Sequence, residues 1–170
     1  MEFVYNDGGR NAAGFKGATG DCVVRAIAIA TEKPYREVYG SINLLARDER
    51  PRGKRRSVAR NGVQRSTYHR YLTSLGWIWT PTMRIGSGCK VHLTDGELPR
   101  GRLIVRVSKH ITTVIDGVIH DTHNPQRGAT IWYRQDTPTG QPAQISHVSP
   151  DRCVYGYYRR GTESRKPARS

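Results

Sequence analysis

Read for the spacing of apolar residues, the chain divides near its middle. The first half keeps a helical period. Cys22-Val-Val-Arg-Ala-Ile-Ala-Ile-Ala-Thr31 is Ala-rich and apolar nearly all round, which predicts a buried helix of about three turns. Asp21 precedes it as the expected N-cap, placing Cys22 at the first helical position. Pro34 suits the first turn of a second helix, in which Tyr35, Val38, Tyr39, Ile42 and Leu45 recur at spacings of three and four. A third, short helix is expected to be capped by Ser66, to run through Tyr68, Tyr71, Leu72 and Leu75, and to end at Gly76.

Beyond Gly76 the period shortens to that of strands. Trp77-Ile-Trp79, Leu103 to Ser108, His110 to Ile115 and Val118 to Asp121 are short β-prone runs, and Arg152 to Arg159 reads as a closing strand. Asp116-Gly117 between two β-branched runs is a strong hairpin signal. Residues 123–150 are rich in Pro, Gln, Thr and Gly and read mostly as loop, with Thr130 to Tyr133 as a possible strand. Trp77, Trp79, Trp132 and the Tyr155 to Tyr158 cluster are expected to serve the core and sheet faces. Helices first and an antiparallel sheet afterwards predict an α+β domain spanning 1–160.

Composition adds a location and a charge to this outline. The chain has 170 residues, enough for one core without covalent staples, and three cysteines far apart in sequence. A reduced, intracellular protein is therefore expected. Met1 to Gly9 contains Glu2 and Asp7 and no signal-like apolar run, and no segment has the apolar length of a membrane span, so the expected location is the cytoplasm, away from membranes. The net charge is +14, which suggests an acidic partner or nucleic acid. Much of that excess lies in two segments, a basic insertion at about 47–65 and a tail at 161–170, both expected to be flexible. Within the insertion, Arg52, Lys54, Arg55 and Arg56 are the candidate docking residues for an anionic partner.

The candidate chemistry lies elsewhere. A cysteine at a helix N-terminus meets unpaired amide N–H groups and the positive end of the helix dipole, which favour the thiolate. If Asp116-Gly117 form a two-residue turn, Ile115 pairs with Val118, Thr112 with Asp121 and His110 with His123. His110, Thr112 and Asp121 then share one face, and His120 points to the other. An imidazole oriented by a carboxylate is the base that a cysteine nucleophile requires. The same register also gathers His110, Asp121 and His123, a possible metal set, and Cys89-x-x-His92 and His120-x-x-His123 have metal-like spacing. A structural zinc site wants four convergent ligands, so neither a metal nor a cofactor is expected.

Gly20-Asp21-Cys22 opening a buried helix, followed by Lys109-His110-Ile-Thr-Thr-Val and then Val-Ile-His-Asp121, resembles the papain-like thiol hydrolases from Gly20 to about Pro125, most of the expected globular part. The order of strands is most similar to that of bacteriocin-processing cysteine peptidases, and Gly-Asp-Cys-Val-Val-Arg-Ala also resembles the start of the catalytic helix in ovarian-tumour deubiquitinases. The resemblance implies a papain-like fold, with Cys22 as nucleophile, His110 as general base and Asp121 as the orienting acid. Asn124 is a second candidate for the third place. Where those enzymes usually carry an oxyanion-binding Gln, some six residues before the Cys, this chain has Lys16; Asn11 and Thr19, with Asn6 and the Cys22 backbone N–H, are the candidate replacements. The implied activity is hydrolysis of a peptide or isopeptide-like amide in a peptide or protein substrate. Acyl transfer or deamidation would use the same triad, and a non-enzymatic protein binding nucleic acid or ribonucleoprotein on the same scaffold is the alternative from another class.

Overall fold

A computed structural model describes residues 1–50, 56–126, 130–136, 142–148 and 151–161. Three helices, α1 (Cys22–Thr31), α2 (Tyr35–Arg47) and α3 (Arg65–Ser74), follow an N-terminal strand β1 (Glu2–Tyr5). Strands β2 (Trp77–Pro81), β3 (Arg102–Val107), β4 (His110–Ile115) and β5 (Val118–Asp121) come next, then β6 (Thr130–Asp136), β7 (Pro142–Val148) and β8 (Val154–Arg160). Six strands form one sheet in the order β1-β5-β4-β3-β8-β2, and β6 pairs with β7 in a separate ribbon. The architecture is α+β.

The sheet departs from the antiparallel one expected, because β1 joins its edge parallel to β5, pairing Phe3 with Ile119 and Tyr5 with Asp121. Glu-Phe-Val-Tyr is too short and too exposed to carry a clear strand period. The stretch expected to close the domain is β8, and it lies inside the sheet, between β3 and β2, where antiparallel ladders on both sides bury Val154, Gly156 and Tyr158. The β6–β7 ribbon occupies much of a region expected to be mostly loop.

Residues Val23 to Ala30 of α1 are all buried, as an all-round apolar helix requires. The helix lies against β4, where the Thr113 hydroxyl donates to the Ala26 carbonyl at 2.8 Å. The core on this face of the sheet joins α1 to Val38 and Ile42 of α2, Tyr68 and Leu72 of α3, and Ile104, Ile111 and Tyr158 of the sheet. A second cluster covers the opposite face, where Leu103, Val105, Val107, Val114, Ile119 and Val154 pack with Leu93. Alternate residues of β3 thus serve two cores, the two-residue period of a sheet covered on both faces.

Local signals differ from expectation at three helix starts. Asp21 makes no capping bond, since its side chain turns inward to other partners. Pro34 precedes α2 as its N-cap residue instead of entering the first turn. Gln64 takes the N-cap position of α3, which places Ser66 inside the helix. Gly76 follows the end of α3 with φ 78°, as expected.

The basic segment is less free than its composition suggests. Ala59 is fully buried and donates its N–H to Asn43 Oδ1 at 3.0 Å. The buried Glu49 carboxylate accepts from the Ser57 N–H at 3.2 Å and the Thr67 hydroxyl at 3.0 Å, and the Gln64 N–H donates to Ser57 Oγ at 2.7 Å. Small residues and a carboxylate let this loop pack through hydrogen bonds where apolar bulk is missing. Arg56 is exposed and donates to the Arg47 carbonyl at 3.0 Å. Arg52, Lys54 and Arg55, and the tail beyond Gly161, lie outside the described residues.

Cys89 and Cys153 form a disulfide across 64 positions. This corrects the expectation of a wholly reduced chain: distance in sequence says nothing of distance in space once β8 returns to the sheet, beside the loop that carries Cys89. Among the described residues, no helix is long and apolar enough to cross a membrane.

Candidate active site

Three elements converge on one point. Cys22 stands at the N-terminus of α1, His110 opens β4, and Asp121 ends β5. The β4–β5 turn explains why the last two meet. Asp116 and Gly117 both have positive φ, 49° and 90°, the geometry of a two-residue hairpin turn whose second position suits glycine. Ile115 consequently pairs with Val118 and Thr113 with His120, the expected register. His110 Nε2 donates to Asp121 Oδ2 at 2.7 Å, and the Asp121 carboxylate also accepts the Thr122 N–H at 2.7 Å.

With Nε2 held by the carboxylate, Nδ1 is the nitrogen left to face the Cys22 thiol, which lines the same cleft as the His110 ring. Burial disfavours the thiolate, but the bond to His110, the imidazolium charge, the Ile111 N–H and Arg25 outweigh it and hold the thiol below its ordinary pKa. For His110, burial favours the neutral ring; the Asp121 bond and the Cys22 bond prevail and raise its pKa to about 9. Asp121 is lowered: burial acts against its ionised form and is overcome by the bond to His110. Together these groups favour a thiolate, an imidazolium and a carboxylate in a row.

A buried ionic network lies beneath. Asp21 is wholly buried and is bridged by the Arg25 guanidinium, by Arg10 Nε at 3.0 Å and by the Tyr35 hydroxyl, which donates at 2.5 Å. Arg25 Nη2 also lies 3.8 Å from Asp121 Oδ1. Arg25 therefore links the triad carboxylate to a second carboxylate at the start of α1. The four-residue spacing of Asp21 and Arg25 was the available signal for this pairing; the convergence of Arg10 and Tyr35 had none.

The site opens into a cleft of about 580 Å³. Thr19, Gly20 and Cys22 form one side, Asn61, Gly62 and Val63 another, and Arg106, Lys109 and His110 a third. One wall thus comes from the packed end of the basic segment. Two oxyanion candidates fail on geometry. Asn11 is exposed and does not line the cleft, and Thr19 lines it but donates its hydroxyl to the Arg60 carbonyl. Asn6 accepts from the Gly8 N–H. The Cys22 backbone N–H remains, as one of the first-turn amides that have no acceptor within their own helix. Asn61 is the cleft-lining residue with a side-chain amide, and the sequence offered no signal for it.

His110, Asp121 and His123 have ligand atoms within 4.8 Å of one another. They could hold a metal only if His110 gave up its bond to Asp121 or the nitrogen left for Cys22, so a metal site and the triad are mutually exclusive uses of one ring. His123 is exposed, with its ring centroid 4.8 Å from that of His110. The Cys89-x-x-His92 spacing does not gather a metal set: Cys89 is in the disulfide, and His92 faces Glu97. Asn124 accepts the Gln126 N–H. Compared with family profiles, with curated proteins and with solved structures, the chain gives no match.

Proposed function

We propose that the chain is a cysteine-dependent hydrolase of papain-like build, acting on a peptide or isopeptide-like amide. The observation that carries this reading is the meeting of Cys22 and His110 in one cleft, with His110 Nε2 hydrogen-bonded to the Asp121 carboxylate. The Cys22 thiolate adds to the substrate carbonyl carbon, and the developing oxyanion is met by the Cys22 N–H, with Asn61 as the side-chain donor. The C–N bond breaks as His110 passes its proton to the departing amine, leaving a thioester. Water, deprotonated by His110, then attacks the thioester carbonyl; the C–S bond breaks, the acid leaves, and Cys22 and His110 regain their charged pair. Asp121 keeps the imidazole oriented throughout.

Iodoacetamide labelling followed by peptide mass mapping tests the nucleophile. At pH 6, where an ordinary thiol is less than about 1% ionised, Cys22 should be alkylated at least ~10-fold faster than glutathione. A rate no faster than glutathione would overturn the assignment. A Cys22→Ala protein should take up no label and show no hydrolysis. The cytoplasmic location expected from composition does not enter the proposal, because the Cys89–Cys153 disulfide is of the kind formed in oxidising compartments.

A further inference from the structure

Among the described residues, four Arg and Lys side chains line the cleft, Arg25, Arg65, Arg106 and Lys109, and no Asp or Glu does. Arg25 is already neutralised by Asp21 and Asp121 beneath the site. Among the described residues, the other three have no carboxylate partner. Two are nonetheless held in place. The Arg65 guanidinium lies 4.8 Å from the Trp79 ring centroid, and that of Arg106 lies 5.2 Å from the Tyr155 ring centroid. A guanidinium stacked on an aromatic face keeps its forked donors pointed outward at little entropic cost, an arrangement suited to receiving an oxyacid. Tyr68 marks how near these charges are to the chemistry. Burial raises its pKa, Arg106 and Arg65 pull it down and Cys22 pushes it up, so this one phenol feels both cations and the reacting sulfur.

We propose that the cleft selects acyl donors carrying a carboxylate side chain beside the scissile carbonyl, with Arg65 and Arg106 as its receptors and Lys109 strengthening their field. The inference rests on the thiol-hydrolase reading and names its substrate class. Peptide carboxylates fit better than a nucleic acid. The Trp79 and Tyr155 rings carry the cations and Tyr68 is buried, so among the described residues the His123 imidazole is the exposed ring left in the cleft, and one ring makes no stacking platform. The charge that recruits substrate is accordingly located at the mouth of the active site, on α3 and β3.

Paired alkylation measures this before any substrate is identified. Iodoacetate and iodoacetamide react identically at sulfur, displacing iodide, but only the first brings a carboxylate. The ratio of their rates at Cys22, divided by the same ratio for glutathione, reports the field in the cleft. At low salt it should exceed one, and it should fall about 5-fold or more in an Arg65→Gln/Arg106→Gln protein or in 0.5 M salt. An Arg65→Lys/Arg106→Lys protein should retain most of it, which separates charge from misfolding. Capped tetraglutamate should slow iodoacetamide labelling of the wild type more than capped tetraglutamine or oligothymidylate does. A ratio unchanged by the Gln substitutions, or protection by oligothymidylate and not by tetraglutamate, overturns the proposal. Slow labelling by iodoacetamide itself strikes the nucleophile assignment instead, so the two failures are distinguishable.

Discussion

Asp121 acts at two removes from the reacting atom. By stabilising the His110 imidazolium it also stabilises the Cys22 thiolate, since each charge of that pair supports the other. Asp121→Asn should therefore lower the His110 pKa from about 9 and move the ionisation of Cys22 upward. If the thiol rises by about one pH unit, iodoacetamide labelling at pH 6 drops about 10-fold, and the midpoint of the rate–pH curve shifts to higher pH. An unshifted curve would mean that the carboxylate does not govern the pair. The same substitution has a stability consequence. A carboxyl with a lowered native pKa stabilises the fold above its unfolded value, and that contribution is lost as pH falls through the native value. Asp121→Asn should thus flatten the acid limb of a melting-temperature profile. Arg25 sits one layer deeper. Replacing it by Met removes the cation that Asp21 and Asp121 share, and should cost about 3 kcal/mol or more in urea unfolding, against about 1 kcal/mol for Tyr35→Phe. Cys22, His110 and Asp121 could be found because each is fixed by a short local pattern. Arg10 and Tyr35 could not, because they reach Asp21 from separate segments whose approach no local period encodes.

At the level of elements, period and turn chemistry carried far. The run of apolar residues delimits α1 from Cys22 to Thr31, and Asp116-Gly117 sets the register that puts His110 opposite the end of β5. Strand order is another matter. β8 lies between β3 and β2, and its Gly156 faces Trp79 so closely that an added Cβ would stand 2.4 Å from the indole and 2.6 Å from the Thr80 carbonyl. Gly156→Ala should destabilise the domain by about 2 kcal/mol or more and alter the near-ultraviolet circular dichroism of the Trp79 region. A neutral result would show that the strand can shift to make room. Capping was the least legible feature, because Asp21 has more to gain from two guanidinium groups and a phenol than from one helix N–H.

For the whole molecule, charge and covalent linkage were the two features that changed meaning. The excess of +14 pointed to Arg52, Lys54, Arg55 and Arg56, of which only Arg56 is among the described residues, while the cleft cations other than the carboxylate-paired Arg25 come from α3, β3 and the β3–β4 turn. The Cys89–Cys153 bond ties the loop after β2 to the start of β8. Closing a loop of this length stabilises by about 4 kcal/mol in the chain-entropy account, so Cys153→Ala should lower the urea midpoint clearly while leaving Cys22 reactive, because the triad lies on other elements. Loss of Cys22 reactivity in that variant would place the disulfide within the support of the site. Residue order alone was sufficient for the helical first half, the hairpin and the shared face of His110 and Asp121, since these depend on contacts a few positions apart. The meeting of Cys22 with His110 across 88 positions, the insertion of β8, the disulfide and the cationic cleft required the folded chain. They arise when helices and sheet bury their apolar faces against each other, and that packing brings together residues whose separation in sequence carries no record of their distance.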